Sequence, residues 1–406
     1  MTPLIRWLAA LVLLTGAVSH RGGLVLLALL LLAVDGLVLM WRHWCLRGIV
    51  YERSFSSTRA FFGETVDLRI RVENRKLLPV PWLLALDEVP EAVTFAAGRV
   101  NVSDRVRRAV LTHSFSLRPY ERVTRHYPIR CDRRGRHGFG PVQLRSGDLF
   151  GLTTTEITQS ADDFLLVYPK VVPLTALGLP DKEPFGDTIA ARRLIADPAM
   201  TIGAREYAPG DSLRRIHWTA TARTGSLHSR IYDYTATRTL AVFLDINTFE
   251  RIYEGINPTL LELAITTAAS VVTWATEQRY QVGLSSNAQL YTGERQIVLP
   301  PSQHPSQARR VLETLAVVIP VSLVRIEDLL RAQANRLPWG ATIIVITGRV
   351  TDALLATLLQ LQAAGHVVTL IAYGHRVPPR IAHYLTVYDV GGEEVWDGLA
   401  ALDLAG

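Results

Sequence analysis

The chain has 406 residues, 49% of them apolar, and a formal net charge of +6 in which arginine far outnumbers lysine. That length accommodates two or three compact units. The basic residues are spread along the chain without aromatic interleaving, which argues against nucleic acid as a partner and fits an anionic membrane surface better. The two cysteines, Cys45 and Cys131, form neither a CxxC pair nor a Cys/His cluster, which argues against a zinc centre and a disulfide framework and favours a reducing compartment.

Two apolar runs open the chain, from about Leu4 to Ser19 and from about Leu24 to Trp41, separated by His20-Arg21-Gly22-Gly23. At about 1.5 Å per residue each is close to membrane-spanning length, the first marginally. Trp7 and Trp41 stand near the outer ends, where interfacial aromatics belong. The runs predict a transmembrane helical hairpin anchor over residues 1–46. The rival is a signal peptide, with Arg6, the apolar core and Ala17-Val18-Ser19 as its three regions. The second run would still hold the chain in the membrane. Arg42, His43, Arg47 and Arg53 follow that run, whereas the loop offers Arg21, so the positive-inside rule places the bulk of the chain in the cytoplasm. Asp35 lies within the second run; a carboxylate there is expected to be protonated, turned to the other helix or near the interface.

Residues 47–168 read as β structure. Thr65 to Glu73 alternates apolar and polar residues, the mark of a half-buried strand, and Asn74-Arg75-Lys76 follows as a turn. Similar runs occur around Val89–Ala96, Leu111–Leu117 and Arg122–Ile129, with no amphipathic helix between them. The expectation is an antiparallel β-sandwich domain. Arg133 to Pro141 and Ser146 to Gly151 read as glycine-marked connections. Residues 169–238 form a bridge, poorly periodic from Pro169 to Thr201. From residue 239 to 406 strands and helices alternate: Leu240–Leu244, Gln281–Ser285, Ala341–Ile346 and Val367–Ala372 as buried strands, and Thr259–Gln278, Gln307–Val318 and Asp352–Ala364 as helices. Continuous apolar strands imply a sheet covered on both faces, a doubly wound α/β domain.

The densest polar chemistry lies in the bridge, in REYAPGDSLRRIHWTATAR, Arg205 to Arg223. Ala208-Pro209-Gly210-Asp211 reads as a turn ending in an N-cap at Asp211. Leu213, Ile216, His217 and Ala220 then share one face at helical spacing, and Gly225 can end the helix, so a short amphipathic helix is predicted over Ser212–Arg223. His217 falls on its apolar face. Arg205, Glu206, Asp211 and the helix arginines suit either an ion-paired clasp that fixes the helix or a surface that meets an anionic partner.

The stretch resembles the signature of a bacterial membrane-protein family catalogued as domain of unknown function number 58, R-E-Y-x-P-G-D-x-x-R-x-I-x-W-x-x-x-A-R. Arg205, Glu206, Tyr207, Pro209, Gly210, Asp211, Arg214, Ile216, Trp218, Ala222 and Arg223 match it at fixed spacing. The anchor, the β region with Arg133-Arg134-Gly135 and Asp148-Leu149-Phe150-Gly151, and the α/β domain agree with the same family. The resemblance implies that the α/β domain is similar to von Willebrand factor type A. It also implies residence in the bacterial inner membrane and partnership with a MoxR-type AAA+ ATPase and other membrane proteins encoded nearby, and it brings no established reaction.

Domains of the von Willebrand type commonly hold Mg²⁺ through D-x-S-x-S after the first strand, since hard oxygen ligands suit that ion. Here the strand is followed by Asp245-Ile246-Asn247-Thr248-Phe249. Asp245 and Asn247 can donate oxygens, Phe249 cannot, and the later Thr347-Gly348-Arg349 lacks the usual acid unless Asp352 substitutes. No metal or other cofactor is expected; a degenerate Mg²⁺ site at Asp245 and Asn247 is the alternative, with Asp245 otherwise capping the connection. No P-loop, G-x-S-x-G or H-E-x-x-H appears. The expectation is a membrane-anchored cytoplasmic adaptor without catalysis of its own. The alternatives are a metal-dependent protein-binding module and an enzyme acting on an anionic substrate at Arg205, Arg214 and Arg223.

Overall fold

The apolar runs at the start of the chain form two helices in the computed structural model, α1 (Thr2–Val18) and α2 (Gly22–Trp44). Structure is described for all residues except 1, 97–98, 103–104, 106, 148–153, 161–162, 181–200, 209–210, 212, 214–215, 233–237, 250–254, 291–293, 295, 375–377 and 403–406. The chain divides into two units, Met1–Tyr168 and Pro169–Gly406.

In the first unit α1 and α2 lie against each other through small residues. Ala9 and Ala28 are fully buried, and a Cβ on Gly16 would stand 2.9 Å from Leu24 Cβ, so only glycine lets the end of α1 approach the start of α2 this closely. Arg6 Nε donates to Asp35 Oδ2 at 2.7 Å. Of the three settings expected for Asp35, it takes the one turned to the other helix.

Among the described residues the strands that follow are β1 (Ile49–Phe55), β2 (Arg59–Ala60), β3 (Thr65–Asn74), β4 (Val80–Pro90), β5 (Val93–Phe95), β6 (Arg99–Val102), β7 (Arg108–Leu117), β8 (Arg122–Cys131), β9 (Gly135–Phe139), β10 (Val142–Gly147), β11 (Thr154–Gln159) and β12 (Asp163–Val167). They form sheets in the orders β1-β3-β8-β5, β11-β10-β4-β7-β6 and β2-β12-β9. The pairing is antiparallel except between β2 and β12. The alternation of β3 sends Val66, Leu68, Ile70 and Val72 inward, where they meet Leu83 and Ala85 of β4 and Leu111 and Leu117 of β7 in one core. Cys45 and Leu46, just beyond α2, belong to that core. Arg53 and Asp87 are paired inside it at 2.8 Å, both almost wholly buried.

The second unit begins at Pro169. The first part of the segment read as a bridge packs onto this unit: Leu174, Leu177 and Leu179 are buried, and Lys170 Nζ donates to Leu399 O. Among the described residues its strands are β13 (Thr201–Glu206), β14 (His228–Tyr232), β15 (Thr239–Leu244), β16 (Gln281–Ser286), β17 (Ala288–Leu290), β18 (Ile297–Ser302), β19 (Val318–Ser322), β20 (Thr342–Thr347), β21 (Val367–Ala372) and β22 (Thr386–Asp389). Its helices are α3 (Trp218–Thr224), α4 (Pro258–Glu277), α5 (Gln307–Ala316), α6 (Ile326–Ala334), α7 (Asp352–Ala363) and α8 (Glu393–Leu402). The main sheet runs β18-β16-β15-β20-β21-β22, parallel except for β18. α6 and α7 pack on one face with Phe243, Ile343, Val345 and Leu370. α4 contacts β15, β16 and β20 and also touches α5 and α8. Both faces of β15 and β20 are buried along their whole length, as continuous apolar strands require.

Candidate functional site

Two places concentrate polar chemistry: the segment 201–232 and the carboxyl end of β15. β13 and β14 pair antiparallel, Arg205 opposite Ser229 and Glu206 opposite His228. The predicted helix over Ser212–Arg223 is corrected to α3, which starts only at Trp218. The reason is local competition. Ile216 forms a β-bridge with Ser229, and His217 N donates to His228 O at 2.8 Å, so at Ile216 and His217 the backbone pairs with β14 instead of continuing an α-helix. His217 is accordingly the N-cap rather than an apolar-face residue, its Nδ1 accepting from Ala220 N at 3.1 Å. Gly225 closes the helix at φ 73°, a left-handed position suited to glycine.

Asp211, read as the N-cap, has another task. Its Oδ2 accepts from Ala208 N at 3.1 Å, closing the turn on itself, and its Oδ1 pairs with Arg205 Nη2 at 2.6 Å. Tyr207 donates its hydroxyl to Asp211 O at 3.2 Å and its amide to Leu227 O at 2.8 Å. The turn is therefore pinned by Arg205, Tyr207 and Asp211. Glu206 and Arg223 are exposed. Pro209, Gly210 and Arg214 lie outside the described residues. Beside the pinned turn, Leu213 is 70% and Trp218 65% exposed, a large apolar surface for so small a module. Ile216 alone of the apolar residues in the predicted helix is buried.

The second place is the point where connections leave the sheet in opposite directions. β15 lies between β16 and β20, and open α/β sheets bind ligands in the crevice at such a point. Here the crevice is filled. Asp245 is wholly buried. Its Oδ1 accepts from Asn247 N at 3.1 Å, Asn247 Nδ2 at 3.0 Å and Asn287 Nδ2 at 2.7 Å. Its Oδ2 lies 2.9 Å from the Thr347 hydroxyl and 4.0 Å from Arg349 Nε. Asn287 is held the right way round because its Oδ1 accepts from Ile246 N at 3.1 Å. Tyr373 donates to Asp245 O at 2.8 Å and packs over Gly348, where a Cβ would come within 2.7 Å of the ring. Burial pushes the Asp245 carboxyl upward from its ordinary range, opposed by the donors from Asn247, Asn287 and Thr347 and by the Arg349 charge.

These residues do not fit a divalent cation. Both carboxylate oxygens are committed to protein donors, Asn247 turns an N–H rather than an oxygen to Asp245, and a guanidinium stands beside the site. Asp352 is exposed in the first turn of α7, outside the cluster. Among the described residues no group of three or more His, Cys, Asp or Glu is placed to hold a metal. Asn287 and Tyr373 were missed in the sequence. Asn287 directly follows an apolar strand end, a position that could have marked it; Tyr373 carries no local signal.

Comparison with known proteins adds the following. A family model described as "Protein of unknown function DUF58" matches residues 203–375, which covers the second place and the first from Gly203 onward. The "Uncharacterized protein YeaD" of Bacillus subtilis (strain 168) is 21% identical over 315 residues, covering 76% of this chain and 73% of that protein. Among solved structures, proximal thread matrix protein 1 from the mussel byssus aligns with a TM-score of 0.31 and 13% identity, over 41% of this chain and 47% of that one. A cohesin module from a Clostridium perfringens family 33 glycoside hydrolase aligns with a TM-score of 0.20 and 9% identity, over 29% of this chain and 96% of the module. Similarity of that degree assigns no fold.

Proposed function

We propose that this chain is a membrane-anchored adaptor that docks a MoxR-type AAA+ ATPase through the module formed by residues 201–232, with no reaction of its own. The observation that carries the reading is the exposure of Trp218 and Leu213 next to a turn pinned by Arg205 and Asp211. An exposed tryptophan on a pre-organised polar frame is the arrangement from which interface hot spots are built. The partner class comes from the resemblance of Arg205–Arg223 to the family signature. The family match over residues 203–375 supports that resemblance and carries no role of its own.

The anchor is a hairpin of α1 and α2 in the inner membrane, with the bulk of the chain cytoplasmic. α2 has the length and composition of a membrane span. Outward residues such as Leu11, Leu14, Leu26, Leu30 and Leu37 are exposed, as lipid-facing side chains must be. α4 passes the same compositional test, but most of it is buried. It is accounted for as the central helix of a domain similar to von Willebrand factor type A.

Co-purification of the tagged full chain with the ATPase encoded beside it tests the proposal. Association is expected in at least one nucleotide state, and Trp218→Ala is expected to weaken it with the fold intact. Failure to associate with and without nucleotide overturns the reading.

A further inference from the structure

The end of α2 runs into the first unit without a linker. Trp41 Nε1 donates to Gly147 O at 2.9 Å, Thr155 Oγ1 donates to Arg42 O at 3.3 Å, and β1 begins at Ile49, five residues after α2 ends. The apolar part of α2, Gly22 to Met40, is about 28 Å long at 1.5 Å per residue, about the thickness of a bilayer's hydrocarbon core. If α2 spans a membrane, the part of the unit around Trp41 therefore lies flush with the bilayer surface.

Two loops meet the helix end there. Lys76, in the β3–β4 loop, donates its ammonium to Cys45 O and to Arg47 O, the latter at 2.7 Å, so a cation caps the last turn of α2. Arg75 N donates to Gly48 O at 2.8 Å. The β7–β8 loop joins the same corner through the buried Asn74, whose Nδ2 donates to Leu78 O and Arg118 O, both at 2.9 Å, and through Tyr120 N to Lys76 O at 3.3 Å. Among the described residues of the β region the two loop tips carry the most exposed large apolar side chains, Leu77 at 74% and Tyr120 at 69%. Trp44 is half exposed, with the Arg47 guanidinium over its ring at 5.5 Å. Arg42, Arg47, Arg75 and Arg118 are all exposed around them, and Glu73 and Glu121 offset only part of that charge.

We infer that this corner, residues 44–47, 75–78 and 118–120, is a lipid-binding surface: Leu77 and Tyr120 enter the interface of an anionic bilayer and the surrounding arginines meet lipid phosphates. Apolar tips ringed by cations beside a membrane helix have the chemistry of such a layer. The inference rests on the anchor reading above. It fixes the first unit against the membrane rather than leaving it on a tether.

The test uses the full chain in nanodiscs of phosphatidylcholine with and without phosphatidylglycerol. Nitroxide labels are placed at Leu77→Cys, Tyr120→Cys and, as a reference on the β1–β2 turn, Thr58→Cys; the native Cys45 and Cys131 are buried. Labels at 77 and 120 are expected to be severalfold less accessible to an aqueous nickel chelate than the label at 58, with the shielding deeper in the anionic discs and reduced there by Arg75→Ala/Arg118→Ala. Accessibility at 77 and 120 equal to that at 58, in protein that has entered the discs, overturns the inference and leaves the anchor standing. Equal shielding in the two lipids overturns its anionic part. Protein that does not enter discs at all overturns the anchor and the inference together.

Discussion

Asp87 and His113 show how burial sets chemistry one side chain at a time. Asp87 is wholly buried, and burial pushes its carboxyl up to about 6 despite the Arg53 guanidinium at 2.8 Å and the Tyr51 hydroxyl at 2.7 Å. Among the described residues Asp87 and Asp163 are the two carboxylates paired with the Arg53 guanidinium. Asp87→Asn is expected to cost about 2 kcal/mol, because the buried guanidinium keeps only the partly exposed Asp163 carboxylate at 3.1 Å as a countercharge; urea unfolding of the detergent-solubilised chain measures it. His113 is held neutral in the fold, pushed down to about 4 by burial and by the Arg125 charge. The unfolded histidine takes its proton near 6.5, so the unfolded state binds more protons between those values. The contribution of His113 is complete above about 6.5 and is lost, by at most about 1.4 kcal/mol per pH unit, as pH falls toward 4. Asp87 acts in the opposite sense, its contribution being present below its unfolded value near 4 and lost as pH rises through about 6. His113→Asn is therefore expected to flatten the fall in unfolding midpoint between pH 6.5 and 4.5, and an unchanged slope would refute the assignment. Asp245 gives a third prediction. Its oxygens are engaged by Asn247, Asn287 and Thr347, so Mg²⁺ added to the full chain is expected to release no binding heat. A heat that Asp245→Asn abolishes would restore the metal-dependent alternative.

Elements follow their residue patterns wherever no distant partner competes. Thr65–Glu73, read from strict alternation, is β3; the apolar runs beginning near 240, 281, 341 and 367 are β15, β16, β20 and β21. The helix read over Thr259–Gln278 is α4, capped by Asn257, whose Oδ1 accepts from Thr259 N at 3.0 Å and Leu260 N at 3.3 Å. Asn257→Ala is expected to cost about 1 kcal/mol, read as a lower unfolding midpoint for the second unit. Other elements carried weaker marks. β18 contains Pro300 and Pro301, and it is tolerable as a strand because it lies at the edge of the sheet, where missing amide donors face no partner. α6, nine residues long, is too short to declare its period. The helix predicted over Ser212–Arg223 is shortened to α3, because the β-bridge at Ile216 and the His217 amide bond commit that backbone to β14.

For the whole molecule, the proposed topology, argued from the arginines after α2, is directly testable at the C-terminus. A reporter active only outside the cytoplasm, fused after Gly406, is expected to stay silent, and activity would reverse the topology. By itself the sequence determined the apolar N-terminal helices, the β-to-α/β order along the chain and the signature between Arg205 and Arg223, because each is written in neighbouring residues at periods of two or 3.6. Only the tertiary structure decided what the polar residues do. Asp211 serves a turn because Arg205 lies across from it. His217 caps α3 because Ile216 and the His217 amide are paired with β14. Asp245 is locked because donors 42, 102 and 128 residues away in Asn287, Thr347 and Tyr373 converge on it. Side-chain periodicity is a property of a short segment, whereas hydrogen-bond satisfaction of a buried group depends on whatever the fold brings to it.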